Sequence, residues 1–304
     1  MLFGKHIGRK KKNNIKRFIG FKTIKELNYL GLKIALRRLK YEDYQFIIEN
    51  ALKKLNQWAS KLLSLAGKLT LVKTVLLALP TFHASHSLVP KRVLEDLDIA
   101  CKNFIWCKNN GKGMHYVNWL DMCKPINCGG RNLHSNNLKT PSLRARLAWR
   151  FIQNKDSLLN NMLASKYGDN MDKVVGRRCS SSTYKLLNEG LKMLKPIVKW
   201  SLVNGDSVDV YKDIWILDKS LDKWPTFVIP HDSNPALVSK FIQNGSWNVE
   251  LLMESFGRDL VNLITQIMIT QEGEEDRMEL IHQKYGLSIG GLAYKESIAV
   301  SQDD

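Results

Sequence analysis

Six acidic side chains fall in close pairs, Asp96 with Asp98, Asp206 with Asp209 and Asp303 with Asp304. Paired carboxylates are what two-metal phosphoryl transfer requires, converging on ions about 4 Å apart in a shaped cleft. None of these pairs has that setting. Asp96 and Asp98 stand two apart in a predicted helix and so point to different faces. Asp206 and Asp209 follow a turn, and the third pair ends the sequence, so all six are read as solvated surface. His115, Cys123, Cys128 and His134 could be imagined as a zinc set, but their spacing of eight, five and six positions matches no usual finger. Buried thiols and ordinary histidines are the better reading. His83 and His86 lack a third ligand and are read as surface or core residues. There is no glycine-rich phosphate loop, no Gly-x-Ser-x-Gly elbow and no Cys/His nucleophile pair. No complete active site, metal centre or cofactor site is expected.

Basic surface remains. Residues 1–150 hold 29 lysines and arginines against 8 acids, a net +21, whereas the rest of the chain is net −4. Residues 1–40 alone hold 13 basic side chains and one acid, Glu26. A field this concentrated attracts phosphate backbones or anionic lipid; the plainer reading is that it keeps the chain soluble. The candidate nucleic-acid-binding residues are Lys5, Arg9, Lys10, Lys11, Lys12, Lys16, Arg17, Lys22, Arg37, Arg38, Lys40, Lys53, Lys54, Lys61 and Lys68. They would bind by releasing counterions from phosphates, with little sequence selectivity. Phe18, Phe21, Tyr29, Tyr41 and Tyr44 lie among them and could stack on bases, although packing into a core is the more ordinary use of each.

The elements that must carry these residues are mostly helical. The 304 residues, 44% hydrophobic and 25% charged, suit a folded protein of at least two folding units. No internal repeat is visible. Residues 1–40 alternate short apolar groups with basic ones, as in Phe18-Ile19-Gly20-Phe21 and Tyr29-Leu30-Gly31-Leu32, a pattern that fits short strands and turns better than one long helix. From Glu42 the spacing of Ile47, Ala51, Leu52, Leu55, Trp58 and Leu62 becomes helical. Ser64 could cap a second helix, which Pro80 should end, and Pro90 should open a third through Ile105. Asn109 to Gly113 and Cys128-Gly129-Gly130 are breaks. Further helices are expected around Leu143 to Ile152, Leu158 to Leu163, Tyr184 to Leu194, Leu251 to Phe256 and Leu260 to Ile269. Asn204-Gly205 predicts a hairpin between Lys199–Val203 and Asp206–Tyr211. The acidic run Glu272 to Asp276 reads as a solvated loop, and the last residues as a polar tail.

Five cysteines with no Cys-x-x-Cys suggest free thiols in a reducing compartment, hence a nuclear or cytoplasmic protein. The longest uninterrupted apolar run, Val75 to Leu79, is far short of a bilayer span, and Met1 to His6 lack a secretory signal's apolar core. No membrane span is expected.

Several pieces, in order, resemble the C-terminal portion of plant non-LTR (LINE-type) retrotransposon reverse transcriptases. They are Tyr29-Leu30-Gly31, the run Trp58 to Lys73 (Trp-Ala-Ser-Lys-Leu-Leu-Ser-Leu-Ala-Gly-Lys-Leu-Thr-Leu-Val-Lys), Leu88-Val89-Pro90 and Asn103 to Trp106. Val117-Asn118-Trp119 with Cys123-Lys124-Pro125, Gly129-Gly130 and Trp200 to Trp215 follow. The resemblance implies that residues 1–41 are the end of a palm-like segment, 42–125 a thumb-like helical bundle and 126–304 a C-terminal helical module with a hairpin at 199–211. The implied fold is mainly α: a basic strand-containing N-terminal segment, the thumb-like bundle, and a second helical module with a small β-hairpin.

The implied role is holding a template-primer duplex, RNA or RNA-DNA, alongside an upstream polymerase segment. An A-like duplex would be gripped through backbone and 2′-hydroxyls. In that family the paired catalytic aspartates, in a Tyr/Phe-Ala-Asp-Asp motif, lie upstream of the position of Tyr29, and residues 1–28 contain no aspartate. The chain is therefore expected to be a truncated piece, inactive alone as an RNA-directed DNA polymerase. Many relatives continue into a Cys-rich zinc-binding segment and a ribonuclease H domain; Tyr285-Gly286-Leu287-Ser288 with Ala293-Tyr294 resembles the approach to the former, without its cysteines. Two other readings are a non-functional structural remnant of a retroelement reading frame, left with exposed apolar surface, and membrane-surface binding through residues 1–40.

Overall fold

The computed structural model describes residues 3, 7–59, 63–106, 114–167, 181–224, 237–270, 275–281 and 287–303. Contacts divide the chain into two units, Met1–Arg144 with Gly176–Leu186, and Ala145–Val175 with Leu187–Asp304. The fold is mainly α, with three two-stranded antiparallel sheets.

The first unit opens on α1 (Arg9–Ile19), where strands and turns were expected. The strand reading rested on short apolar groups, but Ile15, Phe18 and Ile19 recur at three and four, the helical spacing. Gly20 ends the helix in the left-handed region at φ +74°, its amide donating to the Lys16 carbonyl. The expected strands do form farther on, as β1 (Glu26–Tyr29) and β2 (Leu32–Ala35). Leu30 and Gly31 join them with φ +47° and +81°, the double positive φ of a tight hairpin turn.

The bundle follows in α2 (Gln45–Ala59), α3 (Leu65–Leu71), α4 (Thr81–His86) and α5 (Lys91–Trp106). Ser64 caps α3 as expected, accepting the Gly67 amide at 3.2 Å. Pro80 does not end the helical path. A π turn at Val72–Leu76 has already shifted the bonding, Leu79 donates to the Leu76 carbonyl, and the carbonyl that a residue-80 amide would have used is satisfied. Val72, Leu76 and Leu77 meet Ile47, Ala51 and Leu55 of α2 and Val93, Leu94, Leu97, Cys101 and Ile105 of α5 in one core. The stretch Leu65–His86, 22 residues containing an 18-residue window of mean hydropathy 1.4, is by length and composition long and apolar enough to cross a membrane. Counting uninterrupted runs missed it because Lys68 and Lys73 break the run. Its Val72, Leu76, Leu77 and Ala84 are used in the core of this unit.

Short α6 (Trp119–Cys123) leads into Gly129-Gly130. A Cβ at Gly130 would stand 1.9 Å from the Lys124 carbonyl oxygen, so that turn closes only on glycine. Asp98 is not solvated surface. It is buried, accepting from the Ser135 hydroxyl at 2.8 Å, the Asn136 side-chain amide at 2.7 Å and the Asn136 backbone, which fastens α5 to the start of α7 (Asn136–Gln153). Burial raises its carboxyl above the ordinary range, and those hydrogen bonds oppose the rise. Asp96 accepts the Tyr41 hydroxyl at 2.7 Å.

The second unit contains α8 (Leu158–Tyr167), the later part of α9 (Ser182–Leu194), α10 (Val249–Ser255), α11 (Arg258–Thr265) and α12 (Ile289–Asp303). The last residues are thus helical, not a polar tail, up to Asp303. The hairpin expected at 199–211 is replaced by another pairing. Strand β3 (Val198–Ser201) takes β6 (Arg277–Leu280) as its antiparallel partner, Trp200 opposite Met278. Gly205 does adopt φ +72°, but the chain there is wrapped round a carboxylate. Buried Asp276 accepts the amides of Val203, Asn204, Gly205 and Ser207 at 2.8 to 3.2 Å, so this member of the acidic run is an internal anchor. The small hairpin of this unit is β4 (Ile242–Gln243) with β5 (Ser246–Trp247), closed by Asn244-Gly245 at φ +51° and +72°. Its core gathers Leu202, Val208, Val210, Trp215, Phe241, Leu252, Phe256 and Ile264.

Candidate nucleic-acid interface

Eleven residues at 100° per residue divide α1 into two faces. Arg9, Lys10, Lys12, Lys16 and Arg17 share one arc with Asn13, while Ile15, Phe18 and Ile19 share the other with Lys11. No α1 side chain is fully buried; only Lys12 and Ile15 are half-buried. Among the described residues none of its six cations makes an ion pair. The helix has no side-chain N-cap and no acid in its first turn, and its four consecutive cations crowd the positive end of the helix dipole. Free, that end repels itself; a phosphate placed there would relieve the repulsion and use the unpaired amides. Lys16 and Arg17 favour the other end, in the last turn.

The hairpin treats its cations differently. Lys33 lies 2.8 Å from Glu26 and 2.6 Å from Asp43, while Arg37 places its fork on both Asp43 oxygens at 2.6 and 2.7 Å and also reaches Glu26 at 2.8 Å. The Lys40 backbone amide adds a further bond to Asp43 at 2.9 Å. Hydrogen bonds from Arg37 and Lys33 hold the Asp43 carboxyl well below the ordinary carboxylate range, and the same pair, Lys33 first, lowers Glu26. Two cations and two anions cancel.

This network turns the hairpin inside out. Period-two alternation puts Glu26, Asn28 and Lys33 on one face, and they line a cleft of about 460 Å³ with Asp43, Tyr44, Phe46, His83 and Ser87. The opposite face carries Leu27, its partner Ile34 and Tyr29, all exposed, while Leu32, the partner of Tyr29 beside the turn, reaches the lining of the cleft.

The remaining candidates scatter over other elements. Lys22 is exposed on the link between α1 and β1, where it makes a contact within the chain. Arg38 and Lys40 are exposed after β2, Lys53 is exposed and Lys54 half-buried on α2. Lys68 sits 5.7 Å from the Phe104 ring centre, a cation over an aromatic face. Lys5 and Lys61 lie outside the described residues, as do the break at 109–113, Cys107 and Cys179. Sequence reasoning passed over exposed Lys25 and Lys73, which continue the same clusters.

Cys101 and Cys123 are buried thiols, pushed up by burial, Cys123 to about 12, and Cys128 is exposed. Desolvation and neighbouring Lys139 bring His134 down to about 4. Among the described residues no group of three or more His, Cys, Asp or Glu could hold a metal ion.

No family model matches the chain. It is similar to the protein named "Putative ribonuclease H protein At1g65750" of Arabidopsis thaliana, with 29% identity over 196 residues. That match covers 62% of this chain and 32% of the Arabidopsis protein, so the chain spans about a third of that relative's length.

Proposed function

We propose that this chain is a nucleic-acid-binding part of a retroelement protein, and more finely the thumb and following region of a LINE-type reverse transcriptase. On this reading residues 1–41 end a palm-like segment, 42–125 are the thumb-like bundle, and 126–304 are the module that follows. The chain grips an RNA or RNA-DNA duplex and leaves strand extension to catalytic aspartates outside the matched residues. The single observation that carries the reading is the cationic arc of α1, five side chains on one exposed face with no carboxylate partner among the described residues. At 1.5 Å per residue the helix is about 16 Å long, enough to run beside roughly four or five phosphates of one strand at 3.4 Å each. Similarity to the Arabidopsis relative named above supports the coarser statement, and the ordered pieces from Tyr29 to Trp215 support the finer one.

The test is binding of an RNA-DNA hybrid measured against salt. About six phosphate contacts give a log-log slope of roughly −4 or steeper; a flat response defeats the reading.

The inside-out hairpin favours a second reading. Leu27, Ile34 and Leu30 expose aliphatic surface that phosphate does not use, as expected of a remnant shaped to pack against a polypeptide. Self-association of the purified chain, together with salt-insensitive hybrid binding, is the result this reading requires.

A further inference from the structure

Resting on the reading of this chain as a nucleic-acid binder, we infer that Phe18, Phe21 and Tyr29 form a stacking platform for unpaired bases, so that the N-terminal segment engages single-stranded RNA or DNA. Five aromatic residues accompany the basic cluster, and the structure sorts them. Tyr44 is in the core and Tyr41 is packed against it, hydrogen-bonded to Asp96 and covered by the Arg92 guanidinium. Phe18, Phe21 and Tyr29 are 94%, 65% and 60% exposed. A large ring left in water forgoes the transfer free energy that burial would give it, and three such rings fall within twelve residues of the basic cluster.

Charge complementarity chooses that occupant. Lys16, Arg17, Lys22 and Lys25 are interleaved with the rings, residues 1–25 hold no acid, and the first one, Glu26, is already bound by Lys33 and Arg37. Cations and bare rings carried on one exposed segment match a strand that offers phosphates and unstacked bases at once. A duplex keeps its base faces stacked on each other and offers the rings only its edges and its ends. An anionic bilayer is the poorer fit. It wants an unbroken apolar face on one helix, whereas Lys11 stands inside the arc of Ile15, Phe18 and Ile19 on α1, and the other two rings lie beyond the helix's end.

The test uses the full chain and its Phe18→Ala, Phe21→Ala, Tyr29→Ala triple variant, with fluorescence anisotropy on four probes. These are a 15-nucleotide oligouridine, an abasic strand of the same length, an RNA-DNA hybrid, and vesicles containing phosphatidylserine. The side chains removed are exposed, so an unchanged far-UV spectrum and melting temperature are expected. Wild type binds oligouridine at least ~10-fold more tightly than the abasic strand, and the variant loses that advantage. Its hybrid affinity and salt slope stay as they were. Equal wild-type affinity for the base-bearing and abasic strands overturns the platform while leaving phosphate binding intact. So does a variant whose loss is confined to the vesicles. If none of the three nucleic-acid probes binds in a salt-dependent way, the functional reading itself fails, and the platform with it.

Discussion

Helix α1 and the hairpin β1–β2 are neighbours in the chain, and both are rich in cations, yet the cations meet different fates. On α1 six of them, five exposed and Lys12 half-buried, have no acid within ion-pair reach among the described residues, while Lys33 and Arg37 are each held between Glu26 and Asp43. Charge counted along a sequence is therefore not charge available to a ligand. The acids decide. Residues 1–25 contain none, so α1 keeps its field; the two that reach the hairpin cancel it there and fix its polar face to the bundle.

Stripping α1 is the harshest test of that contrast. Replacing Arg9, Lys10, Lys12, Lys16 and Arg17 by glutamine makes the salt slope for an RNA-DNA hybrid shallower by about 4 and lowers affinity at least ~100-fold near 0.1 M salt. The melting temperature should hardly move, because no α1 side chain is fully buried. Binding that survives the change would place the interface elsewhere.

The contrast was half legible beforehand. Ile47, Ala51, Leu55 and the α5 pattern announced the bundle because a buried face imposes its period on the sequence. The Ser64 cap was equally visible. Helix α1 was not, since an exposed helix needs few apolar residues, and Phe18-Ile19-Gly20-Phe21 reads as a strand fragment when Ile15 is left out of the pattern. Arg37 was grouped with the phosphate binders because its partners Glu26 and Asp43 lie 11 and 6 positions away, and local charge counts do not see pairing across a turn. The same blindness affected Asp98 and Asp276. Each is anchored by residues more than 35 positions distant, so each was read as surface by residue type alone. Asn204-Gly205 gave a correct local conformation and a wrong partner, because β3 pairs with a strand about 80 residues on.

Freeing the hairpin's cations sharpens the comparison from the other side. The double change Glu26→Ala, Asp43→Ala releases Lys33 and Arg37, so the salt slope should steepen by up to about 2. The melting temperature should fall by no more than a few degrees, because the carboxylates removed are close to solvent. A destabilised protein that binds hybrid more tightly would be the signature. Unchanged salt dependence would mean that the freed cations do not reach the strand.

Acid should do reversibly what mutation does permanently. Both carboxyls are held below their unfolded values, so their contribution to stability is complete above the ordinary carboxylate range near pH 4. It declines progressively as pH falls below that range and is gone once pH has passed the lower folded values. Amide resonances of Leu27 and Ile34 should therefore keep their positions through pH 4 and move at lower pH. Movement centred on pH 4 would show that the network does not hold these protons off.

The smallest effect is expected from Arg37→Gln, and it separates a count of cations from their availability. If every lysine and arginine near the N-terminus served phosphate equally, removing this one would cost about one unit of salt slope. The Arg37 fork, however, is filled by both Asp43 oxygens, with Glu26 on its remaining side. To reach a phosphate it would have to break three charge-assisted bonds and leave two carboxylates facing an incoming anion. Hybrid affinity should therefore change less than ~3-fold and the slope by well under one unit. The measurable loss should instead be the hairpin's hold on the bundle, seen as faster exchange of the β1 and β2 amides. A full unit of slope lost on this substitution would return Arg37 to the interface and erase the distinction between helix and hairpin.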